Sequence, residues 1–429
     1  MSSSKNVTVP AEASASRSLS ELRPAITTNT LGNPGYRMHR LKGKLKRLAK
    51  KGFKGIELNY LDLAYYARAN PNSNMIKYDI FKAAQTLSEL CNKLDMTVIT
   101  IQPFANFEGL VGDYSLFTMQ FLNKALPEWV RLAYILRAEM ILIPANYFGA
   151  DKKGNPRTTS ETIVSDLNVL VDRGSSLWTT LIQEDLEESS KEEAKGKGKG
   201  KGKGKAKRAP PTYTLKFVYE AQAWSDHIDT WQKSWEVVKL VDRPNFGMCL
   251  DTFNIAAKEY AEPSQFPRGV VQMGGEEKLR NSLNELSKLF KESPPEHQDK
   301  LFLVQVADGE KLRQPLVGDL ESPLTGKRTL ATHCFLTKQP TRMTWSQTGR
   351  LFPFIRNKVG VEIFEGCLPI ADIIKVIFHD LNYRGWVSFE ATHLVLTDES
   401  HGVPTLQTNK AWESWEKMLQ KLAAMKLLD

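Results

Sequence analysis

The chain has 429 residues, 41% of them hydrophobic, with a formal net charge of +9. That is ample for one large core, and single-domain barrels often reach this length. The charge is local: residues 195–208, KGKGKGKGKGKAKR, hold eight basic and no acidic side chains, and without them the net charge falls to +1, which argues against a nucleic-acid-binding surface.

Residues 1–22 have no continuous apolar h-region, so they read as a disordered tail rather than a secretory signal. No apolar run approaches the length of a membrane span. From there, short β-branched and apolar runs alternate with segments of helical period. Strands are predicted at 25–30, 55–59, 97–102, 140–144, 216–220, 247–251, 301–306 and 386–390. Helices are predicted at 41–51, 80–94, 117–136, 160–184, 229–241, 276–290 and 410–427. In the last of these, Trp412, Trp415, Leu419 and Leu422 share one face.

Eight strand–helix units with nearly continuous apolar strands predict a parallel sheet covered by helices, closed as a (β/α)8 TIM barrel over 23–429. No GxGxxG follows the first strand, which disfavours a doubly wound dinucleotide-binding sheet. Two insertions interrupt the pattern. The Lys/Gly-rich, low-complexity segment 185–212 cannot bury apolar surface and is expected to be disordered. It enters the fifth strand from below, on the face away from the chemistry. Residues 307–341 follow the seventh strand and are expected to cover the site as a lid. Cys91, Cys249, Cys334 and Cys367 lack paired spacing and read as free thiols of a reducing, cytoplasmic compartment.

Four side chains of metal-binding type end successive strands: Glu220 in LKFVYE, Asp251 in FGMCLD, Gln305 in LFLVQVAD and Glu390 in GWVSFE. In a barrel the strand C-termini carry the chemistry. Adjacent strands lie about 5 Å apart, so three carboxylates there repel one another unless a cation or protons neutralise them. One hard divalent cation satisfies this, with Mg or Mn first and Co or Zn also compatible. Glu57, at the end of the second strand, and His227, in the loop after Glu220, are the candidates for proton transfer. Arg342 and Arg350, flanking TWS near the lid, are candidates for holding a small anionic substrate. Gln102, ending the third strand, and Asn254, three residues after Asp251, complete that set. Such an enzyme needs neither nucleic acid nor membrane, and self-association into a homo-oligomer is compatible with all of this.

The segment VYEAQAWSDHIDTWQKSWEVVKLVDRPNFGMCLDTFNIAA resembles the centre of fungal 3-dehydroshikimate dehydratases, in the xylose-isomerase-like barrel superfamily. GFKGIELNYLDL, VITIQPFANFEGL, MILIPANY, MTWSQTGRLFP and LNYRGWVSFE resemble it too, so the similarity spans roughly residues 23–425 outside the charged insert. The resemblance implies one divalent ion on Glu220, Asp251, Gln305 and Glu390. It also implies a lyase that dehydrates 3-dehydroshikimate to protocatechuate in quinate and shikimate catabolism. Leu61, Asn254 and Gln347 depart from the pattern of the family, where an acid is common at the first, His stands at the second in bacterial relatives, and Arg is usual at the third. The alternatives are a sugar or sugar-phosphate isomerase or epimerase on the same fold, and a catalytically impaired relative acting as a binding protein.

Overall fold

The computed structural model describes residues 18–68, 79–149, 154, 157–196, 209–264, 271–313, 315–316 and 340–425. Eight parallel strands close on themselves: β1 (Arg23–Thr27), β2 (Gly55–Asn59), β3 (Thr97–Gln102), β4 (Met140–Pro144), β5 (Lys216–Glu220), β6 (Phe246–Asp251), β7 (Leu301–Val306) and β8 (Trp386–Phe389). Each strand pairs with its chain neighbours. β8 returns to β1, with Trp386 opposite Arg23 and Phe389 opposite Ile26.

Closure follows from the two-residue alternation of side chains along a strand. Ala25, Ile99, Met140, Leu142, Val218, Cys249, Leu303 and Trp386 fill the lower lumen as one apolar cluster. The residues between them, such as Ile56, Phe217, Tyr219, Met248, Leu250, Val304, Val306, Val387 and Phe389, belong to the larger core under the surrounding helices. Gly55 makes room inside: a Cβ there would lie 2.8 Å from the Trp386 ring and 2.9 Å from the Ala25 methyl.

The same parity sets the site. Glu220 is two residues beyond Val218, Asp251 beyond Cys249, Gln305 beyond Leu303, and Glu390 two beyond Ser388. All four therefore face inward above the apolar plug, where the strands end.

Several boundaries differ from those predicted. β1 ends at Thr27, and a 3-10 turn over Thr28–Leu31 follows, because the Lys44 ammonium binds the carbonyls of Thr28 and Gly32. The tail predicted over 1–22 is ordered from Ser18, where Ser18 and Glu21 form a capping box over Leu19–Glu21. Residues 1–17 lie outside those described. The helix predicted to stop at 184 runs from Ser160 to Gly196. Its added turns are rich in Glu and Lys, which favour helix, and carry a Glu187–Lys191 pair one turn apart at 3.4 Å. The rest of the basic tract, 197–208, lies outside the described residues. The last helix begins at Gly402 rather than 410, with Pro404 in its first turn.

Candidate active site

At the top of the barrel, Glu220, Asp251 and Glu390 come together, with a ligand oxygen of each within 4.8 Å of the others. Glu220 and Asp251 are buried, and the Glu390 side chain is 16% exposed. Asp251 also caps the helix Thr252–Glu259, accepting from the Phe253 amide at 2.7 Å. Burial and the charges of Glu390 and Asp251 push the Glu220 carboxyl well above its ordinary range. Burial raises Glu390 too, partly opposed by Arg350. Burial and mutual repulsion thus outweigh the positive charge of Arg350 at Glu220 and Glu390.

A framework of amides holds these acids. Asn254 Nδ2 donates to Glu220 Oε1 at 2.9 Å and to Asp251 Oδ2 at 3.1 Å. Gln102 Nε2 donates to Glu390 Oε1 at 3.1 Å. Gln305 is turned toward Glu57, donating from Nε2 to both carboxyl oxygens at 3.1 and 3.0 Å. Its Oε1 accepts from Cys249 Sγ at 3.6 Å. Glu57 is fully buried, and burial followed by the nearby Glu390 charge pushes it up to about 8.

Arg350 completes the cluster. The helix Thr341–Thr348 ends at Gly349, and Arg350–Leu351 then pairs antiparallel with Asp308–Gly309 just beyond β7. A Cβ at position 349 would come within 2.7 Å of the Trp345 ring, so the turn is built around glycine. The guanidinium is delivered inward. Its Nη1 donates to Asp251 Oδ2 at 2.6 Å and to Glu390 Oε2 at 2.8 Å, and Nε to Ser346 Oγ at 2.9 Å.

Beside the cluster lies a cavity of about 240 Å³. Asn29, Asn59, Asn106, Gln222 and Gln347 offer amides to it, while Tyr147, Trp224 and Met343 supply apolar wall. Glu108 links two of its loops, accepting from the Asn146 amide at 2.6 Å and the Tyr219 hydroxyl at 3.3 Å. Its burial pushes it up to about 7.

The candidates named from sequence separate into three groups. Glu220, Glu390, Gln102 and Arg350 line the cavity. Asp251, Asn254 and Glu57 do not line it but touch those residues, and Gln305 is reached only through Glu57. Asn254 is therefore a brace between two acids rather than a wall of the cavity. Arg350, expected as a cation at the mouth, is 2% exposed and bonded to carboxylates.

Two candidates are not brought to the site. His227 Nε2 faces the Phe148 carbonyl at 3.3 Å, and its ring does not line the cavity. Arg342 binds the carbonyls of Ala257 and Ala261 and pairs with Glu262 at 2.9 Å, pinning the end of a helix. Of the lid predicted over 307–341, residues 307–313, 315–316 and 340–341 are described, and 314 and 317–339 lie outside the described residues. Asn59 and Tyr147 were not anticipated. Asn59 carried a signal, lying two residues beyond Glu57 on the same face of β2.

The sequence profile of the family described as "Xylose isomerase-like TIM barrel" matches residues 45–414. The chain is 31% identical over 405 residues to the 3-dehydroshikimate dehydratase of Neurospora crassa, covering 93% of this chain and 94% of that one. The chain belongs to the xylose isomerase-like TIM-barrel family and groups there with 3-dehydroshikimate dehydratases. The Pseudomonas aeruginosa 3-dehydroshikimate dehydratase is 24% identical over 275 residues, which span 63% of this chain and 29% of that longer protein. Among solved structures, a Methylomonas D-allulose 3-epimerase in complex with D-allulose superposes with a TM-score of 0.51 at 11% identity, over 93% of this chain and 97% of that one. That likeness is one of fold alone.

Proposed function

We propose that this chain is a metal-dependent hydro-lyase that converts 3-dehydroshikimate to protocatechuate. The observation that carries the reading is the convergence of Glu220, Asp251 and Glu390 in a chain 31% identical to the Neurospora dehydratase over nearly its whole length. Three converging carboxylates fit a hard divalent cation, with Mg or Mn preferred. When bound, that cation supplies Lewis-acid polarisation of a carbonyl and stabilises the charge of an enolate.

The protein's own groups do the rest. Asn254 and Gln102 fix the three carboxylates, which lowers the cost of ordering them when substrate arrives. The amides of Asn29, Asn59, Asn106 and Gln222 suit a hydroxylated ring. Tyr147, Trp224 and Met343 exclude water from one side of it. Burial pushes the Tyr147 phenol up to about 12, so it keeps its proton and can donate a hydrogen bond to a departing hydroxyl. Cys91, Cys249 and Cys367 are free thiols, in keeping with a reducing, cytoplasmic setting. No helix among the described residues is long and apolar enough to cross a membrane.

The test is direct. Protein stripped of metal and resupplied with Mg or Mn is mixed with 3-dehydroshikimate while protocatechuate absorbance is followed. Product should appear with the wild type and fall at least about 100-fold with Glu220→Gln, as loss of an inner ligand or its orientation costs. Folded wild-type protein that yields no product with any divalent metal would refute the reading. Carbonyl migration on a ketose sugar would assign the isomerase alternative instead.

A further inference from the structure

Among the described residues, Arg350 is the cation that touches the carboxylate cluster. Its Nη1 is within hydrogen-bonding distance of one oxygen from each of two acids, Asp251 at 2.6 Å and Glu390 at 2.8 Å. A nitrogen so placed fills the space between those oxygens. A Mg ion would need both at about 2.1 Å, so it cannot ligate that pair of oxygens while Nη1 stays. The remaining oxygens of the two acids are engaged as well. Asp251 Oδ1 accepts from the Phe253 amide at 2.7 Å, and Glu390 Oε1 from Gln102 at 3.1 Å.

The guanidinium also has somewhere to go. Arg350 lines the cavity, and apart from the two acids its side chain is steered by Ser346 Oγ at 2.9 Å and by the Phe253 ring, 4.5 Å below the guanidinium carbon. A carboxylate in the cavity could take over the charge-assisted bonds that Arg350 now makes to Asp251 and Glu390.

We propose that Arg350 is an internal cation that competes with the divalent ion for Asp251 and Glu390, and that an anionic group bound in the cavity draws it off. The inference rests on the metal-site reading above. It makes metal and anion binding mutually reinforcing, and each must strengthen the other by the same factor.

The experiment is calorimetric titration of Mn into metal-stripped wild type and Arg350→Met, each with and without saturating benzoate as the anion. The expected results are Mn affinity at least about tenfold tighter in Arg350→Met, and a severalfold gain from benzoate in the wild type that the variant loses. Equal or weaker Mn binding by the folded variant would overturn the inference and leave the metal site standing. Should the variant not fold, the wild type decides alone, since unchanged Mn affinity with benzoate overturns the coupling. If neither protein binds Mn, the metal site and this inference fall together.

Discussion

Lys44→Met should be among the more damaging single changes outside the carboxylate cluster. Lys44 and Asp62 form an ion pair at 2.6 Å with both side chains fully buried. The ammonium also donates to the carbonyls of Thr28 at 2.8 Å and Gly32 at 2.7 Å, and Asp62 Oδ2 accepts from Thr28 Oγ1 at 3.0 Å. Burial pulls the Lys44 amine down from its ordinary range, with Asp62 opposing. Methionine keeps the volume but leaves a buried carboxylate with a single neutral donor among these contacts, and two carbonyls that lose a charged partner. Removing one member of a buried pair costs about 3–5 kcal/mol, a large share of the 5–15 kcal/mol typical of a folded domain. The loss reaches the site, because the turn over Thr28–Leu31 carries Asn29 to the cavity, and Thr28 Oγ1 accepts from the Asn59 amide at 3.0 Å. Urea unfolding should therefore show the full loss, with KM raised more than kcat is lowered. Lys44→Met combined with Asp62→Leu should recover most of it. A cost below about 1 kcal/mol for Lys44→Met, the level of an exposed pair, would refute the reasoning.

Two further outcomes follow from the site. His227→Gln should leave kcat within about twofold of wild type in steady-state assays, since the imidazole faces a backbone carbonyl away from the cavity; a loss of general acid–base catalysis would instead cost 100-fold or more. Stability of the metal-free protein should depend on Glu57. Its carboxyl titrates near 8 when folded against an ordinary 4.5, so between those values the folded state holds a proton that the unfolded chain has released. Stability from this group is present below about pH 4.5 and is lost as pH rises toward 8. Urea unfolding across that range should show the decline, and Glu57→Gln should make it shallower, leaving the part due to Glu108, Glu220 and Glu390. An unchanged slope in that variant would show that Glu57 does not titrate there.

Much of the acid cluster could be read from the chain itself. A two-residue alternation needs no knowledge of neighbours, so Val218 then Glu220, Cys249 then Asp251, and Leu303 then Gln305 already place an oxygen donor on the lumen side at each strand end. Eight such strands separated by helical segments imply closure, and closure implies that the donors converge. The charged tract at 195–208 could likewise be separated from the barrel by composition, although the residues leading into it, through Gly196, prolong a helix that propensity alone could have extended.

What the chain could not disclose is which cations and amides meet those acids. Arg342 and Arg350 look alike in sequence, yet one binds the carbonyls at a helix end and the other enters the cluster. The difference arises from the pairing of Arg350–Leu351 with Asp308–Gly309 across some forty residues of intervening chain. Asn254 bridges Glu220 and Asp251 because β5 and β6 are neighbours in the closed barrel, and His227 is turned away by the carbonyl of Phe148 on another loop. Local alternation determines which way a side chain points. Its partners are decided by strands and loops distant in sequence, and those are brought together only when the barrel closes.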